Sequence, residues 1–137
     1  MSAGSGRSKW VAIYFRNRQG SEPVDEFIDS LPIAHQESID RKIDRLNVFG
    51  PMLPSPHSKK VDGKFRRLKC DVDGLAYRIL YHEAENGFIV LLHAFVKKTQ
   101  QIPSAEIELA KSRWSDFKAR MDATARLPPR AVGHDAP

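Results

Sequence analysis

The chain has 137 residues, a formal net charge of +5 at pH 7 and a pI near 9.5. This length predicts one domain that buries roughly two thirds of the surface of the unfolded chain. The single cysteine, Cys70, excludes an internal disulfide and a zinc site of the multi-cysteine kind. No apolar segment is long enough for a secretory signal or a membrane span, so we expect a cytoplasmic protein without a membrane partner. The positive charge favours an anionic partner but says nothing about the fold.

The first part of the chain predicts one strand followed by two antiparallel helices. Residues 1–9 are rich in Gly and Ser and predict a disordered N-terminal tail, whereas residues 10–16 (WVAIYFR) have the composition of a strand. Ser21 is placed to cap a short helix. Four apolar residues share one face of that helix: Val24, Phe27, Ile28 and Leu31. A second apolar stripe in residues 33–49 predicts a longer helix that ends at Gly50, before a proline.

Two tight turns organise the middle of the chain. Residues 51–63 are predicted to form a loop, and residues 64–101 a three-stranded antiparallel meander. The turns are predicted at Asp73-Gly74 and Asn86-Gly87, because both central residues of a type I′ turn need a positive φ. The third strand is apolar on both faces, as expected for a strand that is covered by helices on one side and partly enclosed on the other.

The last predicted helix carries the most regular apolar stripe in the chain. Pro103 and Ser104 open it, and the stripe recurs at intervals of three and four residues: Ile107, Ala110, Trp114, Phe117 and Met121. We expect this face to pack on the domain's own sheet rather than in the groove of a partner. Residues 123–137 are rich in Ala, Pro, Arg and Gly and predict a disordered C-terminal tail, which leaves residues 10–122 as the folded domain.

Strand alternation sorts the basic residues of the meander onto its two faces. Arg67 and Lys69 project to the same face of their strand, and the residues between and beside them project to the other. In the next strand Arg78 interrupts an otherwise apolar run, and a buried charge is costly unless it is paired or faces a cleft. Two interpretations of Arg78 therefore remain open: a place in a cleft, or a salt bridge to an acid such as Asp71 or Glu83.

Cations without matching acids suit phosphate binding, because Arg offers a two-pronged donor fork and Lys a point charge. They also suit metal-free cleavage of RNA, in which a 2′-hydroxyl attacks the neighbouring phosphate and fixed positive charge stabilises the transition state. Crowding of cations lowers the pKa of a lysine among them, so Lys69 or a neighbour is a candidate general base. The alternative is that these cations form a solvated sheet edge, where lysines discourage aggregation.

The histidines give no competing catalytic set. His93 lies inside an apolar strand and is predicted to be a hydrogen-bonded core residue, whereas His82 lies near a turn, where the sequence leaves its exposure open. The other three have no metal-ligand spacing: His35, His57 and His134. The chain has no Ser-His-Asp set, no P-loop and no dinucleotide-binding glycine pattern, so we expect neither a metal nor a cofactor.

Three segments carry a resemblance to a known family. The chain resembles the phage-derived, HigB-like branch of the RelE/ParE toxin superfamily in GSEPVDEFIDSLP (residues 20–32), YRILYHEAENGFIVLLHAFVKKTQQIP (77–103) and EIELAKSR (106–113). The resemblance implies an α+β fold of the RelE type. In that fold an N-terminal strand and a helical hairpin pack on a small, mostly antiparallel sheet, and a C-terminal helix follows the last strand.

The resemblance also implies a function. It implies the toxin of a type II toxin–antitoxin system, a ribosome-dependent mRNA endonuclease (mRNA interferase) that inhibits translation without a metal. The implied partners are the ribosome, mRNA and a helix-turn-helix antitoxin of the HigA kind. Two other functions stay open, because a fold does not determine an activity. One is ParE-like inhibition of DNA gyrase without nuclease chemistry, and the other is an inactive relative that binds only RNA or its antitoxin.

By position, the resemblance implies a catalytic set of four cations. Arg78 corresponds to the family's YR arginine, which contacts the region of the scissile phosphate. Arg67 and Lys69 lie where the family places basic residues on the preceding strand, and Lys98 lies where a basic residue follows the last strand. Five further cations are predicted to bind RNA: Lys59, Lys60, Lys64, Arg66 and Lys97.

The chain departs from the family pattern in two places. The HigB-like branch commonly has Glu-Leu-Arg where this chain has Arg67-Leu68-Lys69, so the site is more basic here. The tyrosine that some RelE-type enzymes present after the last strand has no counterpart in KKTQQIP, at residues 97–103. The identity of the general base is therefore open.

Overall fold

The structure is a computed structural model that describes residues 10–123, with side chains described as far as Met121. The predicted tails lie outside these residues, except that Ala123 is the last residue of the C-terminal helix. Among the described residues, no helix combines the length and the apolar character needed to cross a membrane.

One mixed sheet with helices on both faces forms the domain. The elements in chain order are β1 (Val11–Tyr14), α1 (Pro23–Asp29), α2 (Ile33–Phe49), β2 (Ser58–Asp62), β3 (Phe65–Val72), β4 (Leu75–Glu83), β5 (Phe88–Val96) and α3 (Ser104–Ala123). The strands lie in the order β1-β5-β4-β3-β2, and every pair is antiparallel except β1 with β5. The predicted α+β fold is therefore confirmed: strand, helical hairpin, mostly antiparallel sheet and C-terminal helix.

Each face of the sheet has its own apolar core. The helical hairpin covers one face, on which Leu68, Tyr77, Ile79 and Leu91 are buried beneath Ile39, Ile43 and other residues of α1 and α2. On the other face α3 covers Leu80, Val90 and Leu92 with its apolar stripe, of which Ala110 and Phe117 are fully or almost fully buried. The prediction that α3 packs on the domain's own sheet is confirmed. The third strand of the meander, β5, is predicted to be covered by helices on one side and partly enclosed on the other, and in the structure helices cover both of its faces.

Two local predictions about loops and caps are wrong. Residues 58–62, inside the predicted loop, form the edge strand β2, so the antiparallel meander has four strands rather than three. Because Lys59 and Lys60 are both exposed, this strand has no apolar alternation, and its pairing with β3 depends on backbone hydrogen bonds that no pattern reveals. The N-cap of α1 is Glu22 rather than Ser21, and no side-chain hydrogen bond caps the helix.

The two predicted turns differ in length. Asp73 and Gly74 have φ values of 52° and 79°, as a two-residue type I′ turn between β3 and β4 requires. Asn86 and Gly87 also have positive φ, at 64° and 81°, but they belong to a three-residue turn that begins at Glu85. The second turn is therefore one residue longer than predicted, and the backbone hydrogen bond that closes it joins Ala84 N to Phe88 O at 2.7 Å.

A bulge in β5 turns His93 toward α3. Leu80 pairs with His93 and Tyr81 with Leu91, so Leu92 is an extra residue, and both Leu92 and His93 face the helix. His93 Nε2 lies 2.5 Å from a Glu106 carboxylate oxygen, which confirms the prediction of a hydrogen-bonded histidine. His82, whose exposure the sequence leaves open, is partly buried, because its ring stacks on Trp114 with 3.9 Å between the ring centroids.

We expect these two histidines to make stability fall in mild acid. Burial lowers the pKa of His82 and of His93 below 6.5, and it outweighs the opposing effects of the Glu83 carbonyl and the Glu106 carboxylate. Below about pH 6.5 the unfolded chain therefore binds more protons than the folded chain, and the free energy of unfolding decreases until the folded-state pKa values are reached. Thermal unfolding between about pH 7.5 and 5.5 should show a falling Tm. A Tm that rises over this interval would contradict the expectation.

Candidate functional site

A cleft of about 380 Å³ lies between the beginning of α3 and the outer strands of the sheet. It forms because α3 packs on β4 and β5, which leaves the same face of β3 and β2 open. Of the ten described residues that line it, five are Lys or Arg, five are uncharged, and none is acidic. The lining residues are Lys59, Lys60, Val61, Arg67, Arg78, Lys97, Gln100, Gln101, Ile102 and Ile107.

Strand register brings cations from three strands to this cleft. Lys59 is directly opposite Arg67 in the pair β2–β3, and these two residues line the cleft with Arg78 of the next strand. Lys97 lies just beyond β5, where its backbone N–H still donates to Ala76 O at 2.8 Å. Its Nζ donates to the carbonyl oxygens of Thr99 and Gln100, at 3.2 and 3.0 Å, which holds the segment after β5 against the cleft.

Arg78 satisfies both interpretations that the sequence leaves open. Its side chain is 7% exposed, and Nη1 donates to Asp71 Oδ1 at 2.7 Å and to Tyr77 O at 2.8 Å. It also lines the cleft, and its Nε is buried without a hydrogen-bond partner among the described residues. Glu83, the other predicted partner, is exposed at the far end of β4. Arg78 is therefore a buried cation with one acid partner and an unsatisfied donor.

The neighbouring charges influence one another. Burial, followed by the nearby charge of Arg78, lowers the pKa of Arg67, whose Nη1 donates to Pro56 O at 2.7 Å. For Asp71, burial acts to raise the pKa, but the hydrogen bond and charge of Arg78 and then Lys69 outweigh it and lower the pKa. Asp71 is thus ionised at neutral pH and lies at the edge of the cationic cluster.

Most of the predicted site residues lie in or beside the cleft. Two of the predicted catalytic residues, Arg67 and Arg78, line it, and so do three of those predicted to bind RNA: Lys59, Lys60 and Lys97. Lys69, also in the predicted catalytic set, is opposite Arg78 in the sheet, but its Nζ lies 3.7 Å from Asp71 Oδ2 and does not line the cleft. Five of the nine predicted residues therefore line the cleft together, and Lys69 is linked to one of them, Arg78, through their shared contact with Asp71.

Three predicted residues lie elsewhere. Lys98 is exposed outside the lining, and Lys97 occupies the position expected for it, because successive residues of an extended chain point in opposite directions. Lys64 is exposed in the turn between β2 and β3. Arg66 belongs to the opposite face of β3, where its Nε donates to Ser58 Oγ at 2.8 Å and Ser58 in turn bonds the Tyr81 hydroxyl.

The uncharged half of the cleft was not predicted. Val61, Ile102 and Ile107 line the cleft with the amides of Gln100 and Gln101. The sequence gives Ile107 only as part of the apolar stripe of the last helix, and no pattern in the sequence assigns any of the five residues to a cleft. The contact of Asp71 with Arg78, in contrast, has a sequence signal. A two-residue turn at Asp73-Gly74 fixes the register of β3 and β4, and counting back from it places Asp71 diagonally across from Arg78.

Within the described residues, no three side chains of His, Cys, Asp or Glu are grouped so that they could hold a metal ion. No curated protein sequence matches the chain. A family model described as "Phage derived protein Gp49-like" matches residues 26–115, which is more than half of the chain and includes every residue that lines the cleft. The chain therefore belongs to the phage-derived Gp49-like family, which is part of the RelE-like group of type II toxin–antitoxin toxins.

Proposed function

We propose that this protein is the toxin of a type II toxin–antitoxin pair, of the HigB-like kind, and that it cleaves ribosome-bound mRNA in the cationic cleft. The observation that carries the proposal is the lining itself, with five cations and no acid among its described residues. Family membership supports the toxin role, and the charge of the cleft supports a polyanionic substrate. A helix-turn-helix antitoxin of the HigA kind is the proposed neutralising partner.

The size of the cleft favours a single-stranded substrate. Its volume of about 380 Å³ lies at the lower end of the range for small-molecule pockets and is too small for a duplex. Four of the five lining cations come from β2–β4, where phosphates would bind, and the amide and apolar side chains of residues 100–107 form another part of the lining, where a base would bind. A strand of mRNA presents both groups at once when its bases are unpaired, as in the ribosomal A site.

The chemistry proposed for this cleft is transfer of the phosphate to the neighbouring 2′-oxygen. The 2′-oxygen attacks phosphorus and loses its proton, the bond to the 5′-oxygen breaks, and that oxygen gains a proton, which leaves a 2′,3′-cyclic phosphate and a 5′-hydroxyl. In this scheme Arg67 and Arg78, which both line the cleft, stabilise the additional negative charge of the transition state. Three lysines also line the cleft, and their charges bind the phosphates of the strand in this scheme: Lys59, Lys60 and Lys97. Lys69, the candidate base from the sequence, contacts Asp71 outside the lining, so the cleft itself does not assign the base.

Induced expression tests the proposed activity directly. We expect translation to stop and primer extension to show new 5′ ends within ribosome-bound mRNA, with cleavage by the purified protein unchanged when a chelator is added. Co-expression of a cognate helix-turn-helix protein of the HigA kind should restore growth. Arrested growth with intact mRNA and broken DNA would support the gyrase alternative, and harmless expression would support an inactive relative; either result would refute the proposed nuclease.

We expect the double variant Lys59→Ala/Lys60→Ala to bind the substrate more weakly. Both side chains line the cleft from an exposed edge strand, so their loss removes phosphate contacts at little cost to the fold. KM should rise about tenfold, and the slope of log affinity against log salt concentration should become shallower by about 1.4, since each contact with a single strand contributes about 0.7. The measurement is cleavage of ribosome-bound mRNA at a series of salt concentrations.

The matched control is Arg41→Ala/Arg45→Ala, which removes the same charge from exposed positions of α2, on the opposite face of the sheet. Equal effects of the two double variants would show that only net charge matters and would contradict the assignment of the cleft.

A further inference from the structure

The hydrogen bonds of Arg78 leave one edge of its guanidinium group unused. The group has five N–H donors, of which two belong to Nη1, two to Nη2 and one to Nε. Nη1 has two acceptors, Asp71 Oδ1 at 2.7 Å and Tyr77 O at 2.8 Å. Nε is buried without a partner, and no described residue accepts a hydrogen bond from Nη2. The donors that remain free are therefore next to each other, on the Nε–Nη2 edge.

That edge has the geometry of an oxyanion receptor. Its Nε–H and the nearer N–H of Nη2 are parallel and lie in one plane, so together they match two oxygens of a single phosphate. Arg78 lines the cleft with a side chain that is only 7% exposed, and its Nε is buried, so little water reaches Nε, whereas Nη2 is not among the buried donors without a partner. A buried donor without a partner costs free energy, and a ligand that supplies two acceptors removes that cost.

Asp71 determines which edge of Arg78 stays free. It lies diagonally across from Arg78 in the register of β3 and β4, and its own carboxylate is half exposed and does not line the cleft. The second carboxylate oxygen lies 3.7 Å from Lys69 Nζ, so two cations on adjacent strands hold the acid in place. Asp71 therefore holds Nη1 of Arg78 without lining the cleft itself, so it does not take the space that a substrate would occupy.

We propose that Asp71 is a positioning residue, which holds Nη1 of Arg78 so that the Nε–Nη2 edge faces the cleft and receives two oxygens of one phosphate of a nucleic-acid strand. The proposal rests on the proposed function for the identity of the substrate and on the Asp71–Arg78 geometry for everything else. Without Asp71, Nη1 has one acceptor fewer, and the planar group is free to rotate and to meet the phosphate through a single donor.

Two substitutions of Asp71 separate positioning from charge. Asp71→Asn removes the negative charge but keeps an oxygen that accepts from Nη1, whereas Asp71→Ala removes both. We expect Asp71→Ala to lower kcat for cleavage of ribosome-bound mRNA about 30-fold with a smaller change in KM, because a misplaced catalytic group costs up to about 100-fold. Asp71→Asn should lose no more than about threefold in kcat. Glu83→Ala, which removes an exposed acid from the far end of β4, is the control for loss of charge.

Equal losses of kcat in the Asn and Ala variants would overturn the proposal, because charge alone would then explain the effect. So would an Ala variant with the kcat of the wild type. Since Asp71 is half exposed, we expect all three variants to fold, and their Tm values should lie within a few degrees of the wild-type value.

A second measurement does not depend on nuclease activity. The ¹⁵N–¹H signal of the Arg78 Nε, assigned by its absence from the Arg78→Met variant, is followed by NMR while inorganic phosphate is added. We expect phosphate to shift this signal in the wild type and in Asp71→Asn, and to shift it at least tenfold less at the same concentration in Asp71→Ala. The positioning role would be overturned if phosphate did not shift the wild-type signal, or if it shifted the signal of the Ala variant as much as that of the wild type. Phosphate shifts of the expected pattern without mRNA cleavage would instead refute only the proposed function.

Discussion

Replacement of Arg78 by methionine should abolish mRNA cleavage and leave the protein at least as stable as the wild type. Loss of one preorganised charged donor costs roughly 100- to 1,000-fold in kcat, and Arg78 supplies two such donors on its free edge. We therefore expect kcat to fall by about 1,000-fold or more and induced expression to become harmless. The measurement is primer extension on ribosome-bound mRNA with the purified variant.

The stability of the same variant follows from the burial of Arg78. The guanidinium group is almost completely buried with its Nε unsatisfied, which costs free energy in the folded protein. Methionine has a similar length without charge or donors, and the carboxylate that loses its partner, Asp71, is half exposed and able to bind water. The Tm should therefore stay the same or rise. Such a result would mean that Arg78 is present for function at the expense of stability.

Arg41→Met is the control for this experiment, because Arg41 is exposed on α2, on the other side of the sheet. It should leave both cleavage and toxicity unchanged. Full toxicity of Arg78→Met would refute a role of Arg78 in the reaction, and a fall of more than about 10 °C in its Tm would show that the Arg78–Asp71 pair has a mainly structural role.

Replacement of Gly50 by alanine should cause a large loss of stability. Gly50 follows α2 with a φ of 53° and a ψ of −133°, and a Cβ at this position would lie 2.5–2.6 Å from three ring atoms of Trp10. The strained backbone costs about 1–3 kcal/mol, and the clash forces the ring or the helix end to move, at a further 1–3 kcal/mol. We expect the free energy of unfolding to fall by about 4 kcal/mol. Urea denaturation followed by circular dichroism measures it.

Gly63→Ala is the matched control for the conformational part of this cost. Gly63 has a φ of 55°, but an added Cβ would meet no atom within 4 Å. Its replacement should therefore cost only about 1–2 kcal/mol, the penalty of a left-handed conformation for an L-residue. If the free energy of unfolding falls equally in the two variants, the close contact between Gly50 and Trp10 contributes nothing beyond the conformational cost. The end of α2 is then not held against the beginning of β1 by this contact.

Prediction from the sequence succeeds where neighbouring residues determine the structure. The helix stripes, the positive φ values at Asp73 and Asn86, and the alternation that separates Arg67 from Arg66 depend on periods of two to four residues and are present in the structure. The edge strand β2 is missed, because it is exposed and polar and is held by pairing with β3 rather than by an apolar pattern.

The same distinction between local pattern and long-range packing applies to the candidate site. That a row of cations lies on one face of the meander follows from the residues themselves, and so does the need of Arg78 for an acid or a cleft. Two other features depend on where the chain leaves β5 and on how α3 then crosses the sheet. Lys97 lines the cleft rather than Lys98, and Gln100, Ile102 and Ile107 form the uncharged part of the lining. No local pattern contains this information, because it arises from contacts between segments that are far apart in the chain, and packing of the whole domain is needed to bring them together.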